Sequence, residues 1–301
     1  MTLHEYHPQV AEIPFALGRH GQSDGNAGDL AQGRGEDLPG RPNGLTPQGR
    51  ADVEGAVPAF AAAGLDVHHV GSSELSRAKE SATTFVDASD HPKPTLLPPV
   101  PGLKEVSQHG WEGRFRRDEV KALRKAAVAD MRQRLLVAGL DEGLVDFVPW
   151  ITSFGEGETP LGAGLRGIKA VEDWGPGPRH LLFTHAMLNR YIDGTATSVP
   201  VAEREKIARL LTDGSLAGSI AVLESLRANG VPNFKIADDA RNRQANGGAT
   251  EYTVDPKTGL WVAGRRIEPP TAADTYPFIE HRRSPEGLWV RQTPGPGAPA
   301  E

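Results

Sequence analysis

The 301-residue sequence contains no cysteine, which excludes disulfides, thiolate nucleophiles and cysteine-ligated metals. It has no excess of basic charge. The formal net charge of −6 argues against non-specific nucleic-acid binding as the main task, while leaving room for a small positive pocket. No apolar run approaches the length of a membrane span. The opening MTLHEYHPQVAEIP lacks a basic segment followed by an apolar stretch, so it does not read as a secretory signal. A soluble, cytoplasmic protein is expected. No repeat of solenoid period is present. Neither H-E-x-x-H nor a comparable ligand spacing occurs among the 10 histidines, and the adjacent His68 and His69 point to opposite faces of a strand. No metal site and no cofactor are expected.

Glycine (35) and proline (25) are abundant, which predicts long irregular connections around a core drawn from the 38% of residues that are apolar. Three short apolar runs read as buried strands: Ile13–Leu17, Val67–Val70 and His180–Thr184. Thr46 and Pro47 form an N-cap and first-turn pair that opens a helix closed by Gly64, with Pro58 expected to kink or split it. Further helices are expected over Leu75–Ala88, Asp118 to about Ala138, 202–211 and 215–228. The long one carries Val120, Leu123, Ala127, Met131 and Leu135 on one face. GLWV at 259–262 and again at 287–290 reads as two turn-then-strand units. Strands alternating with helices imply an α/β fold, a mostly parallel central sheet with helices on both faces. One domain over 13–292 is expected, with insertions at about 27–44 and 193–230 and a C-terminal strand extension. An irregular lead-in at 1–12 precedes it, and a Pro/Gly/Ala-rich, disordered tail at 293–301 follows.

Open α/β sheets bind ligands beyond the carboxyl ends of their strands. Here the first strand runs into Arg19 and His20, the second toward Ser72, Ser73 and Arg77, and the third into His185. His180 lies at the start of its strand and is expected at the opposite edge. Parallel strands would bring two arginines and two histidines into one pocket, a set that suits a dianionic phosphoryl group.

The segment RHGQSDGN (19–26) resembles the RHG signature of the histidine phosphatase superfamily, the phosphoglycerate-mutase-like enzymes. LTPQGRADV (45–53), SSELSRAKESA (72–82), LKEVSQHGWEG (103–113), GETP (157–160) and LLFTHAMLNRYI (181–192) resemble further family segments in order. VPNFKIA (231–237) and TEYTVDPKTGLWVAG (250–264) resemble the closing strands. The resemblance implies a three-layer sandwich and a metal-independent phosphomonoesterase acting through phosphohistidine. His20 would be the nucleophile. Arg19, Arg77 and a protonated His185 would bind the phosphoryl oxygens, and Asn26, Gln22 and Ser23 occupy loop positions that help hold substrate. Glu105 would be the general acid/base, its pKa raised by partial burial; Glu112 and Glu158 are the neighbouring alternatives.

The chain departs from the family pattern at Ala186-Met187, where glycine is frequent, at Glu74, where proline is common, and at Gln22, where glutamate is. Two other readings share these residues. A phosphoglycerate-type mutase would return the phosphoryl group to its substrate, but the segments that mark true mutases are absent here. A non-catalytic phosphate-binding scaffold would have no need of all five core positions. The partner expected is a small phosphorylated substrate, with no nucleic acid and no membrane. Oligomeric state is left open, a homodimer included.

Overall fold

The computed structural model describes residues 15–34, 37–38, 41–90, 92–114, 116–175, 177, 179–234, 244–270, 279–283 and 289–291. The lead-in and the C-terminal tail expected from the sequence lie outside the described residues. In chain order the elements are β1 (Phe15–Arg19), α1 (Asp24–Ala27), the hairpin strands β2 (Asp37–Leu38) and β3 (Arg41–Pro42), α2 (Pro47–Ala62), β4 (His69–Ser72), α3 (Ser76–Ala88) and β5 (Thr95–Leu96). Then come α4 (Lys121–Val137), α5 (Val148–Ile151), α6 (Pro160–Trp174), β6 (His180–Thr184), α7 (Ala186–Ala196), α8 (Val201–Asp213) and α9 (Leu216–Ala228). Strands β7 (Ala249–Val254), β8 (Trp261–Glu268), β9 (Ile279–Arg283) and β10 (Trp289–Arg291) close the order.

Eight strands form one sheet in the order β10-β9-β8-β7-β1-β6-β4-β5. The half made of β1, β6, β4 and β5 is parallel, and β7 to β10 extend it antiparallel. Alternating side chains divide the parallel half between two cores. Ala16, Val70, Leu181 and Phe183 pack with Val53, Ala56 and Phe60 of α2 and Ala78, Ala82 and Phe85 of α3. Leu17 and Leu182 face the other way, into a larger cluster with Leu161 and Ile168 of α6 and Leu188, Tyr191 and Ile192 of α7. Burying each large apolar side chain contributes about 2 kcal/mol, and the need to bury both faces fixes helices above and below the sheet.

The helix starts follow capping chemistry. Thr46, Thr159 and Ser215 each accept a hydrogen bond from the N–H of a glycine three residues on, opening α2, α6 and α9. Pro58 neither splits nor ends α2, which is continuous through it. Its ring lies on the exposed face, where water can take the carbonyl bond that proline leaves unmade. The long helix begins as a π-helical turn over Arg116–Val120, and of its apolar stripe only Val120 and Leu135 are fully buried. Residues 193–230 complete α7 and form α8 and α9, whose Ile207, Val222, Leu223 and Leu226 join the larger core.

Two sequence expectations need correction. The sequence reading places no helix at 186–196, where eight of the eleven residues of α7 are buried. The segment starting at Val231 is not a strand over its described residues. Trp150 Nε1 donates to the Pro232 carbonyl at 3.0 Å, and Phe234 packs on Trp150 and Tyr191, so the segment plugs the helical layer instead of the sheet. Residues 235–237 lie outside the described residues. By contrast, β7 and β8 make the expected hairpin, turning through Gly259 at a φ of 65° that favours glycine. The second GLWV reaches β10 at Trp289. Among the described residues no helix is long and apolar enough to cross a membrane.

Candidate active site

Three neighbouring strands end side by side. β6 lies between β1 and β4, with Arg19 paired to Thr184 and Ser72 to Phe183. The next residue along each strand is His20, His185 and Ser73. The ladder continues one step: the His20 N–H donates to Thr184 O and the Ser73 N–H to Phe183 O. Strand spacing of about 4.8 Å then dictates the separation. The two imidazole centroids are 5.2 Å apart, and Ser73 Oγ is 2.6 Å from His185 Nε2.

His20 is buried, and its Nδ1 lies 2.6 Å from the Gly21 carbonyl. A carbonyl only accepts, so Nδ1 carries the hydrogen and Nε2 keeps its lone pair. Burial, then the charges of Arg77 and Arg19, push His20 well below its ordinary value. The imidazole is therefore neutral near pH 7. His185 is fully buried, and burial with Arg77, His20, Arg166 and Arg19 pushes it down as well. The expectation of a protonated second histidine is thus corrected for the free protein: the surrounding guanidinium charge disfavours a further cation.

Arg77 is the second residue of α3 and only 1% exposed. Its Nη2 donates to Gly33 O at 3.2 Å, while Nε and Nη1 have no partner among the described residues. Two buried, unpaired guanidinium nitrogens are costly unless an anion meets them. Desolvation lowers Arg77 to about 10, still protonated at neutral pH. Arg19 ends β1 and donates through Nη1 to Gln244 O at 2.8 Å.

Glu105 arrives from the loop after β5 and is buried. Its carboxylate accepts from the N–H of Val106 at 2.9 Å and, at the start of α7, from Met187 at 3.3 Å and Leu188 at 2.9 Å. The N-terminus of α7 thus receives a side-chain carboxylate through backbone N–H groups. Burial pushes the Glu105 carboxyl up, outweighing those donors and Arg77.

The other two carboxylates are committed to holding loops. Burial would raise Glu158, but Arg166 on both oxygens, Arg34 at 2.5 Å and the Ser107 N–H at 3.2 Å hold it below its ordinary value. Glu112 accepts from the N–H of Arg34 at 3.2 Å and Gln108 at 3.1 Å. With the Ala31–Arg114 and Gly113–Ala31 backbone bonds, these ties pin residues 31–34 onto the 105–114 segment. A polar cavity of about 530 Å³ opens there, lined by Arg34, Ser107, His109, Gly110 and Glu112. No motif marks Arg34 or Arg166; GETP at 157–160, read as a family helix start, does open α6, where Thr159-Pro160 repeats the Thr46-Pro47 pair.

The remaining predicted residues build the loop after β1. Ser23 is fully buried, caps α1 and donates to Gln32 Oε1 at 2.7 Å. Asn26 spends its Oδ1 on the Ser23 N–H at 3.2 Å, which leaves its amide nitrogen as the end able to donate. Gln22 turns away, its Oε1 accepting from Thr46 Oγ1 at 2.9 Å. His180 does sit at the opposite edge, with His69 at a centroid distance of 4.7 Å.

The model of the histidine phosphatase superfamily (branch 1) matches residues 15–216, more than half of the chain. Among solved structures, mycobacterial hydrolase 1 is 16% identical, with 86% of this chain and 99% of that one covered at a TM-score of 0.54. Mycobacterial glucosyl-3-phosphoglycerate phosphatase in complex with VO3 is 16% identical, with 84% and 97% covered and a TM-score of 0.51. YhfR of Bacillus stearothermophilus is 18% identical, with 83% and 95% covered and a TM-score of 0.52. These likenesses establish a shared fold. Comparison with curated proteins gives no match.

Proposed function

This chain belongs to the histidine phosphatase superfamily and is a phosphatase by family, and we propose that it hydrolyses a small phosphomonoester through a phosphohistidine on His20, without a metal. The observation that carries this reading is the neutral His20 with Nδ1 tied to Gly21 O, set 5.2 Å from His185 and under the charge of Arg77 and Arg19.

Nε2 of His20 attacks phosphorus as the bond to the leaving oxygen breaks. Arg19, Arg77 and His185 take the equatorial oxygens; their fixed positive charge and N–H groups do the work a metal does elsewhere. Asn26 supplies a further amide donor from the loop. Glu105, whose carboxyl burial pushes up, gives its proton to the departing alkoxide. Water then attacks the phosphohistidine, Glu105 takes its proton back, and the N–P bond breaks to release inorganic phosphate and neutral His20. Ser23 and Gln22 act at one remove, holding the loop that carries Asn26 and the start of α2.

The test is release of inorganic phosphate from nitrophenyl phosphate in excess chelator. Turnover should persist with chelator and vanish in His20→Ala. Loss of turnover in chelator, or full activity in His20→Ala, overturns the reading.

A further inference from the structure

We propose that Ser73 is a positioning residue that fixes His185 as the Nδ1–H tautomer, so that the second histidine presents a neutral N–H donor to the phosphoryl oxygens. The purpose of that donor rests on the phosphatase reading; the tautomer itself does not.

The argument is a count of hydrogens. Ser73 is fully buried, and its hydroxyl has one hydrogen. The Leu75 N–H donates to Ser73 Oγ at 3.3 Å, so that oxygen is already an acceptor. At 2.6 Å, Ser73 Oγ and His185 Nε2 share one hydrogen bond, in one of two senses. If Nε2 donated, the serine hydrogen would be buried with no acceptor assigned to it, a loss that a folded core avoids. If Ser73 donates to Nε2, every group is satisfied but one. That one is His185 Nδ1, which is buried and without a partner among the described residues. In a neutral imidazole whose Nε2 accepts, Nδ1 carries the hydrogen. The fold thus leaves one N–H of His185 unspent.

His20 is held in the reverse sense. Its Nδ1 donates to Gly21 O, which keeps the lone pair on Nε2. Two imidazoles 5.2 Å apart are therefore the same Nδ1–H tautomer held by opposite nitrogens, one leaving a lone pair to attack phosphorus and one leaving an N–H to donate to its oxygens. The backbone explains why each partner is in place. Ser73 is locked by its own N–H to Phe183 O, and His185 follows Thr184 on the strand between. The surrounding cations Arg77 and Arg19 disfavour an imidazolium at His185, so a fixed neutral tautomer is the form in which it can donate.

The test uses the full-length protein labelled with ¹⁵N in histidine, the His185 resonances being assigned by their loss in His185→Gln. In the wild type, Nδ1 should be protonated and Nε2 should show the shift of an unprotonated acceptor. Ser73→Ala should mix the two tautomers, weaken inorganic phosphate binding and lower kcat on nitrophenyl phosphate by at least about tenfold; complete loss of one such donor costs about 10²–10³. Ser73→Thr, which keeps the hydroxyl, should restore the wild-type tautomer. An Nε2–H tautomer or an imidazolium in the wild type overturns the proposal without any variant having to fold. So does a Ser73→Ala protein with unchanged tautomer and phosphate affinity. A wild type with the stated tautomer but no turnover would instead count against the phosphatase reading.

Discussion

Glu105 accepts three backbone N–H bonds, an environment that ordinarily favours a carboxylate, and still its carboxyl is pushed up. Burial wins because the group has lost its water, and the backbone donors together with the charge of Arg77 offset only part of that cost. Glu105→Gln should lower kcat on alkyl phosphates by about 10²–10⁴, the usual scale for a lost general acid, and spare nitrophenyl phosphate. Equal losses on both would contradict the assignment. Glu158→Gln should affect both leaving groups alike, since that carboxylate ties Arg34, Arg166 and the Ser107 N–H together and donates no proton. Turnover of alkyl phosphates should fall as pH rises through the raised Glu105 value. Its acid limb should lie below 6.5, because His20 remains neutral there. His20 and His185 were legible in the sequence because each directly follows a strand, whereas the roles given to them and to Arg77 came from the family resemblance. The choice among three carboxylates was not: it depends on which one is buried and which are paired, and spacing carries neither.

Elements meet in this site through glycine. A Cβ on Gly21 would lie 2.1 Å from Gly49 O, and one on Gly49 would lie 1.9 Å from Gln22 O. The loop after β1 and the first turn of α2 are thus in backbone contact, and Thr46 seals the joint by accepting from the Gly49 N–H and donating to Gln22. Gly49→Ala should force the His20 loop aside, costing about 1–3 kcal/mol of stability and lowering kcat/KM on every substrate. A variant with wild-type thermal midpoint and kinetics would show that the contact is slack. Thr46-Pro47 announced α2 correctly, yet the reason for Gly49 was hidden, since it lies in the loop that docks there. Helix α7 was hidden differently: the apolar run of β6 leads straight into it, with only His185 between strand and helix.

For the whole molecule, the parallel half of the sheet is the reason the site exists. Three strands running the same way deliver His20, His185 and Ser73 to one edge, while His69 and His180 end at the other. The strand runs and their direction were readable from the sequence; the antiparallel extension was readable only as separate hairpin units, because the pairing of β7 with β1 is a long-range choice. Burying two neutral histidines has a global consequence. His20 and His185 have folded values well below 6.5, so the unfolded chain binds more protons as pH falls. Their contribution to stability is full above 6.5 and is lost as pH falls toward the folded values. Chemical denaturation across that range should show unfolding free energy falling as pH is lowered, with a shallower slope in His185→Gln; a flat profile would contradict neutral burial.

The most direct measurement is rapid quench during turnover of a phosphomonoester, followed by peptide mapping. The account predicts a phosphoryl adduct on His20 that survives alkali and is lost in acid. An adduct on any other side chain, or hydrolysis at full rate with none formed at His20, would contradict it.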